Sequence, residues 1–193
     1  MMVGREVFLN IEKKQAHIGD TVLKIDNLWT SGEKEMSKIR GVSLEVKSGE
    51  ICRNCRNRLA MDKVSWLRQF CGLRKVEKGS ILLDGKNITN ESVKKIRKAG
   101  LSHIPEDRNV RGLNRSMTIE ENIVAAQISD APFSNGIMLN NTKMLEYTNE
   151  LIDKFDIRPR NPQTLTQGMS GGNAQKIVVA REVSIGGKVL IAS

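Results

Sequence analysis

The run from Met169 to Lys176, which reads Met-Ser-Gly-Gly-Asn-Ala-Gln-Lys, constrains this chain more than any other stretch of its sequence. It opens a predicted helix, so Ser170 can cap the helix while Gly171 and Gly172 form its first turn. Because glycine has no Cβ, the N–H groups can approach an anion at the positive end of the helix. This Ser-Gly-Gly run predicts a phosphate site, although a serine cap before flexible glycines would have the same pattern.

Strand patterns alternate with helix patterns along the chain, which predicts an α/β fold. Alternating apolar residues indicate strands at residues 22–28 and 39–46. Shorter strands are predicted before an Asp-Gly turn, before a proline and at the end of the sequence, at 80–86, 101–105 and 188–192. The last of these has the apolar pattern of a buried strand.

Four helices are predicted from capping residues and apolar spacing, at 92–98, from 119, from 141 and at about 172–183. Thr118 and Glu121 form a capping box before the second helix. Asn141 or Thr142 is expected to cap the third helix, whose apolar residues are Met144, Tyr147, Leu151, Ile152 and Phe155. The helices around residues 112–168 are expected to form an insertion in the α/β domain.

The composition has two anomalies, a net charge of +9 and three cysteines; residues 52–71, here called the basic segment, contain all three cysteines and +4 of the charge. Such a charge ordinarily indicates a nucleic-acid or membrane partner, but no nucleic-acid-binding motif accompanies it. Cys52 and Cys55 have the spacing of a zinc or redox site. Zinc needs four ligands, and the remaining candidates, Cys71, His17 and His103, have no paired spacing. Neither nucleic-acid binding nor metal binding is therefore predicted.

The Ser-Gly-Gly run resembles the signature motif of ABC ATPases, in the form found in sugar and nucleoside importers. Residues 103–108 and 111–113 resemble the Q-loop region of the second domain in tandem importers of the ribose, galactose and purine-nucleoside group. Glu106 stands there in place of the usual glutamine. Residues 118–123 are similar to the family's TVxEN segment. Further matches follow in the family's order, at residues 3–5, 73–85 and 180–182.

This resemblance implies a P-loop NTPase-like (RecA-like) ABC domain, with an antiparallel β subdomain and a helical subdomain at about residues 112–168. Residues 1–20 are expected to be a remnant of the interdomain linker. Residues 21–193 are expected to be a partial nucleotide-binding domain, truncated before the end of Walker B. Ser193 stands where the family usually has the aspartate that helps to hold Mg²⁺, and serine cannot supply that carboxylate.

ABC domains pair head to tail, so each ATP with its Mg²⁺ lies between the Walker motifs of one domain and the signature motif of the other. The resemblance therefore implies that this chain binds ATP in trans, through Ser170, Gly171, Gly172, Asn173 and Gln175. The Q-loop region is expected to face a permease, through Glu106, Asp107 and Arg108. No catalytic residue or metal ligand is assigned to this chain, and ATP hydrolysis by the chain alone is not expected.

The implied partners are a second ABC domain, a transmembrane permease and, indirectly, a periplasmic or lipoprotein substrate-binding protein. Nucleic acid is not an expected partner. No signal peptide and no stretch of about 20 apolar residues is visible in the sequence. The chain is therefore expected at the cytoplasmic face of the cell membrane, as a peripheral subunit.

The basic segment occupies the place of Walker A but contains no glycine, so it cannot form a P-loop. One permitted set of codons for residues 49–73, with three T bases removed, translates as GEIVGIAGIDGNGQSELVEAICGL. This translation resembles the Walker A region of the family's second domain. It would change the charge of the segment from +4 to −3, so the basic excess would be an artefact of reading frame. The alternative function is a pseudogene product or frameshifted fragment with no role in transport.

Overall fold

The structure is a computed structural model, and it describes residues 16–30, 39–52 and 75–192. Three sequence-based predictions lie largely or wholly outside these residues: the linker at 1–20, the basic segment and the Walker B position Ser193.

Four strands form an antiparallel sheet: β1 (Thr21–Thr30), β2 (Ile39–Lys47), β3 (Lys78–Leu83) and β4 (Lys86–Asn87), in the order β2-β1-β3-β4. The predicted strands at 22–28, 39–46 and 80–86 are confirmed. The last is a hairpin, since Asp84 and Gly85 turn between β3 and β4 with φ of 49° and 73°. Positive φ at both positions is what a two-residue type I′ turn requires.

A second, parallel pair of strands consists of β5 (Leu101–Ile104) and β6 (Val189–Ala192). Before β5 lies helix α1 (Val93–Ala99), which Ser92 caps and Gly100 ends with φ of 109°, as predicted. The prediction that the last strand is buried is only partly right, because Leu190 is 47% exposed. Within the described residues, β6 pairs with β5 alone, so one of its edges has no neighbouring strand.

Three further helices follow: α2 (Ile119–Val124), α3 (Asn141–Lys154) and α4 (Gly171–Ser184). The capping box of Thr118 and Glu121 is present at α2, as predicted. The cap of α3 is Asn140, one residue before the predicted Asn141 or Thr142, and its side chain accepts the backbone N–H of Lys143. Two short turns join these elements, a π-helical turn at Arg108–Gly112 and a 3₁₀ turn at Thr166–Gly168.

The core consists of two apolar clusters. The first packs the antiparallel sheet against α1, β5 and β6, through Leu23, Ile25, Leu28, Val76, Ile81, Leu83, Ile88, Ile96, Leu101 and Val189. The second joins α2, α3 and α4 through buried residues from Leu113 to Ala180. Because α4 shares this cluster, the subdomain limits of about 112–168 stay a prediction. No helix among the described residues is long and apolar enough to cross a lipid bilayer.

Candidate functional site

Ser170 is the N-cap of α4, with φ −61° and ψ 150°. Its Oγ atom accepts two hydrogen bonds from Asn173, from the backbone N–H at 3.4 Å and from Nδ2 at 3.1 Å. A serine hydroxyl has two acceptor lone pairs and one proton. Because Asn173 occupies both acceptor positions, the hydroxyl proton is left to donate to a group outside the helix.

Gly171 and Gly172 begin α4, and both are exposed. The first N–H groups of a helix have no partner inside it. A Cβ placed on Gly172 would meet none of the described atoms within 4 Å, so the space beside this glycine is open. The aligned peptides of α4 add a partial positive charge of about half a unit at this end. The helix end therefore has the donors and the field that an anion needs.

The side chain of Asn173 connects Ser170 to the backbone of Arg158. Its Nδ2 atom donates to Ser170, and its Oδ1 atom accepts the backbone N–H of Arg158 at 2.9 Å. Gln175 is partly buried further along α4. Both were predicted as ATP ligands in trans, and that role stays a prediction. In this structure the Asn173 side chain supports Ser170.

The three residues of the predicted Q-loop region do different things in the structure. Glu106 is exposed. Asp107 caps the Arg108–Gly112 turn, because its Oδ1 atom accepts the backbone N–H groups of Asn109 at 2.9 Å and Val110 at 3.2 Å. Arg108 points back to α4, where its Nη2 atom lies 2.6 Å from the position that a Cβ on Gly171 would occupy. The structure thus brings Arg108 to the Ser-Gly-Gly run.

A buried ion network, here called the Glu182 network, ties α4 to α1 and β5. The Glu182 side chain is 1% exposed. Its Oε2 atom accepts Arg97 Nη2 at 2.8 Å and the backbone N–H of His103 at 3.2 Å. Its Oε1 atom accepts Nε of Arg181 at 2.9 Å. The carboxylate therefore has two cationic partners and a backbone donor, as a buried charge requires.

Arg181 extends this network to the Arg108–Gly112 turn. Its Nη2 atom donates to the carbonyl of Gly112 at 2.9 Å, and its Nη1 atom donates to the carbonyl of Asn122 at 3.2 Å. Residues 180–182 resemble the family in sequence, but the resemblance assigns no role to the charges of Arg181 and Glu182. One signal was available: Ala174, Val178 and Glu182 follow a four-residue spacing, so Glu182 continues a buried helix face.

Asn122 and Thr166 fix the segment that leads into the Ser-Gly-Gly run. Asn122 is 2% exposed, and its side chain exchanges hydrogen bonds with the backbone of Asn114, at 2.8 and 2.9 Å. The Thr166 hydroxyl donates to the carbonyls of Asn114 at 3.1 Å and Met117 at 3.2 Å. The chain that enters α4 is therefore anchored to the start of α2.

His103 lies at the junction of β5 with the Glu182 network and is partly buried. Burial holds the pKa of its imidazole below the usual range, against the opposite effect of the Glu182 carboxylate. The cations of Arg97 and Arg111 lower the pKa further. Burial and these cations therefore favour the neutral form of the ring.

The described donors fit a phosphate group but not a metal ion. Ser170, Gly171 and Gly172 offer O–H and N–H groups, which bind oxygen anions such as the phosphates of ATP. Magnesium prefers carboxylate and other oxygen ligands, and the carboxylate of Asp107 is engaged in capping. Ser193, which stands where the family usually has the aspartate that helps to hold Mg²⁺, cannot supply that carboxylate and lies outside the described residues. The site can therefore hold the phosphates of a nucleotide whose metal ligands come from elsewhere.

The placement of Arg108 predicts a difference between two alanine substitutions. Alanine at Gly172 is expected to raise the free energy of unfolding by about 0.5 kcal/mol, since alanine is the better helix former and its Cβ meets open space. At Gly171 this gain is expected to vanish, because the new Cβ would displace the Arg108 guanidinium. Urea unfolding measures both variants. In an Arg108→Ala background, Gly171→Ala and Gly172→Ala should change the free energy of unfolding by the same amount. Equal changes with Arg108 still present would contradict the position of its guanidinium beside Gly171.

Comparison with known proteins places this site in a family. Residues 63–192 match the family model described as ABC transporter. The chain is 35% identical over 193 residues to the guanosine import ATP-binding protein NupO of Bacillus subtilis (strain 168), covering 100% of this chain and 38% of that protein. It is also 35% identical over 193 residues to the nucleoside import ATP-binding protein NupA of Lactococcus lactis subsp. cremoris (strain MG1363), with the same coverage. The ribose import ATP-binding protein RbsA of Bacillus subtilis (strain 168) is 32% identical over 190 residues, covering 98% of this chain and 37% of that protein.

The chain thus spans less than two-fifths of the length of these curated relatives. Among solved structures, a nucleotide-free ATP-binding cassette from an ABC transporter superposes with a TM-score of 0.64 at 16% identity, covering 90% of this chain and 68% of that one. The dimeric, post-hydrolysis structure of the cassette MJ0796 bound to ADP and Pi has a TM-score of 0.65 at 19% identity, covering 88% and 72%. These likenesses confirm the predicted fold of an ATP-binding cassette. Because the family match extends over well more than half of the sequence, this chain belongs to the ABC transporter family.

Proposed function

We propose that this chain is part of the ATP-binding subunit of an importer for nucleosides or simple sugars, and that it is the second of two tandem nucleotide-binding domains. The names of the relatives NupO, NupA and RbsA support the substrate classes. The order of motifs supports the second position. In this proposal residues 1–20 are linker, residues 21–193 are the partial domain, and its helical subdomain occupies about 112–168.

One observation carries the proposed role at the ATP site: Ser170 caps α4 and accepts both of its hydrogen bonds from Asn173, so its hydroxyl proton and the first amides of α4 remain available to an anion. ATP bound by the Walker motifs of a partner domain, with Mg²⁺, would meet these donors when the two domains close. Closure would reach the permease through the exposed Glu106 region and import would depend on a substrate-binding protein. The chain would work at the cytoplasmic face of the membrane as a peripheral subunit, without nucleic acid.

The chain's own Walker site is proposed to be inactive. The basic segment has no glycine to form a P-loop, and Ser193 replaces a carboxylate. The family match begins at residue 63, inside the basic segment, which supports the idea that this stretch departs from the family pattern. We attribute the departure to the three-base change of reading frame described above. Hydrolysis of ATP would then occur at the partner's Walker motifs and depend on this chain's Ser-Gly-Gly run.

The test is the ATPase activity of the chain with and without the nucleotide-binding domain encoded beside it. The chain alone is expected to hydrolyse no ATP above background. Ser170→Ala in the mixed pair is expected to lower the rate about tenfold or more, because it removes a donor positioned on the transferring phosphate. Ser129→Ala, which removes an exposed hydroxyl that accepts from Lys94, is the matched control and should leave the rate unchanged. A pair unaffected by Ser170→Ala would refute the role in trans.

The second candidate function is a fragment without any transport role, and the glycine-free basic segment is the observation that favours it. Gene context separates the two candidates. An upstream ATPase domain in the same reading frame, with coding sequence that continues after codon 193, supports the importer subunit. An isolated open reading frame with stop codons on both sides supports the fragment.

A further inference from the structure

The guanidinium of Arg108 has an unusual position in the described part of the chain. Its Nε atom is buried and has no hydrogen-bond partner among the described residues, while the residue as a whole is partly buried. Its Nη2 atom is directed at Gly171, at the first turn of α4. A buried donor without a partner costs about 1–3 kcal/mol, and more when the group is charged. Some compensating interaction is therefore expected at this place.

The guanidinium of Arg108 also lies at the positively charged end of helix α4. The N-terminal end of a helix carries partial positive charge, so it favours anions and disfavours a cation such as Arg108. The neighbouring carboxylate of Asp107 accepts the N–H groups of Asn109 and Val110, which leaves it facing the turn. Two positive groups, the guanidinium and the helix end, thus converge on one point. An anion bound there would satisfy both.

The protein holds Arg108 in this position through its backbone. The carbonyl of Arg108 accepts the N–H of Leu113 at 2.8 Å, and the carbonyl of Gly112 accepts Arg181 Nη2 at 2.9 Å. A Cβ on Gly112 would lie 3.0 Å from the Val178 side chain, so the turn packs closely on α4. The turn is therefore pinned to the same helix whose N-terminus the guanidinium faces. The arrangement is built before any ligand binds.

We propose that Arg108 is a further phosphate-binding residue, which joins Ser170 and the amides of Gly171 and Gly172 in holding the terminal phosphate of a polyphosphate ligand. This inference rests on the proposed function of the Ser-Gly-Gly run in ATP binding. Arginine suits the role because its planar guanidinium forms paired, charge-assisted hydrogen bonds with phosphate oxygens. It also explains the glycine at 171, where a larger residue would displace the guanidinium.

The test is a titration of the ¹⁵N-labelled chain with inorganic triphosphate, at low salt, followed by NMR. The signals are the amides of Gly171 and Gly172 and the Nε–H of Arg108, which should shift together. Arg108→Gln is expected to weaken the apparent Kd about tenfold, as the loss of a charge-assisted hydrogen bond implies. Arg108→Lys keeps the charge but cannot form the paired hydrogen bonds, so its Kd should lie between those of the unmodified chain and Arg108→Gln. The matched control is Arg111→Gln, which removes the same charge from the same turn and should change the Kd less than twofold.

Each outcome decides the proposal. Weaker binding in both Arg108→Gln and Ser170→Ala, with the control unchanged, supports it. An Arg108→Gln affinity equal to that of the unmodified chain, while Ser170→Ala weakens binding, overturns the role of Arg108 and leaves the proposed function standing. If Arg111→Gln weakens triphosphate binding as much as Arg108→Gln does, the effect is a general electrostatic attraction, and the proposed role of Arg108 is overturned. If Arg108→Gln fails to fold, Arg108→Lys and the Arg108 Nε–H signal of the unmodified chain decide the question. If the chemical shift of the Arg108 Nε–H does not change up to saturation with triphosphate, direct contact between Arg108 and the ligand is refuted.

Discussion

Replacing Glu182 with alanine is expected to lower the free energy of unfolding by about 3–5 kcal/mol, which is a large part of the roughly 5–15 kcal/mol that stabilises a typical domain. The reason is the pair of cations that the carboxylate neutralises. The side chains of Arg97 and Arg181 are only 26% and 12% exposed. Without Glu182 both would remain partly buried with no opposing charge, and the N–H of His103 would lose its acceptor. Urea unfolding followed by circular dichroism measures the change.

The matched control is Glu146→Ala on α3. Glu146 pairs with Lys143 at 2.6 Å, but both side chains are more than half exposed, so the loss should be about 0–1 kcal/mol. A second variant separates charge from packing: Glu182→Ala combined with Arg97→Ala should cost less than the sum of the two single changes. A Glu182→Ala cost as small as that of the control, or full additivity with Arg97→Ala, would show that the Glu182 network does not stabilise the fold.

The Glu182 network also has a functional consequence, because Arg181 connects it to the Arg108–Gly112 turn. Without Glu182 the Nε atom of Arg181 loses its acceptor, while Nη2 of the same side chain donates to the carbonyl of Gly112. In the Glu182→Ala variant we therefore expect the Arg108 Nε–H signal to shift less when inorganic triphosphate is added. This outcome would support a positioning role for the network, and an unchanged Arg108 Nε–H response would contradict it.

Restoring a single reading frame in the basic segment is expected to create a P-loop site for ATP within this domain, which the present segment cannot form because it has no glycine. The restored segment contains the glycines whose amides can cradle phosphate, and the printed segment contains no glycine. At 100 times its Kd, ATP should stabilise the restored chain by about 2.7 kcal/mol. For a chain of this size, that corresponds to a rise in Tm of about 5–10 °C. Differential scanning fluorimetry with Mg²⁺-ATP measures the shift.

The same restoration is expected to increase the yield of soluble protein. In the family the residues after Gly49 and Glu50 form a central parallel strand, and such strands are nearly all apolar. By that resemblance the strand would include Arg53 and Arg56, which lie outside the described residues, and the basic segment has no acidic residue before Asp62. Unpaired charges in such a strand would cost several kcal/mol.

Two controls decide the reading-frame prediction. A restored segment with its glycines replaced by alanine should lose the ATP-induced shift in Tm, since the phosphate cradle depends on them. Changing Cys52, Cys55 and Cys71 to serine in the printed chain should leave ATP without effect. Resequencing of codons 52–71 gives an independent test. Codons that cannot be aligned to the GxAGxxGNGQSE-like frame would end the hypothesis, whereas clean reads that encode residues 52–71 as they stand would indicate a real mutation.

Much of the secondary structure could be predicted from sequence because its causes are local. The Asp84-Gly85 turn, the Gly100 stop and the capping box of Thr118 and Glu121 each depend on residues within a few positions of one another. The same is true of Ser170, whose cap and following glycines predicted the start of α4. The α3 cap was predicted one position late because Asn140, Asn141 and Thr142 are all competent caps, and the sequence does not rank them.

The tertiary structure alone decided which distant residues share the candidate site. Arg108 was predicted to act with Glu106 in a Q-loop region, but the fold brings it to Gly171, 63 positions away in the chain. Glu182 and Arg97 are 85 positions apart and meet because α1 and α4 pack around β5. Local periodicity carries no information on such pairings, since they depend on how the two apolar clusters pack against one another. The sequence was sufficient to predict the Ser170 cap and the glycines that begin α4, and only the packing of the turn and helices around them revealed the arginine that faces this end.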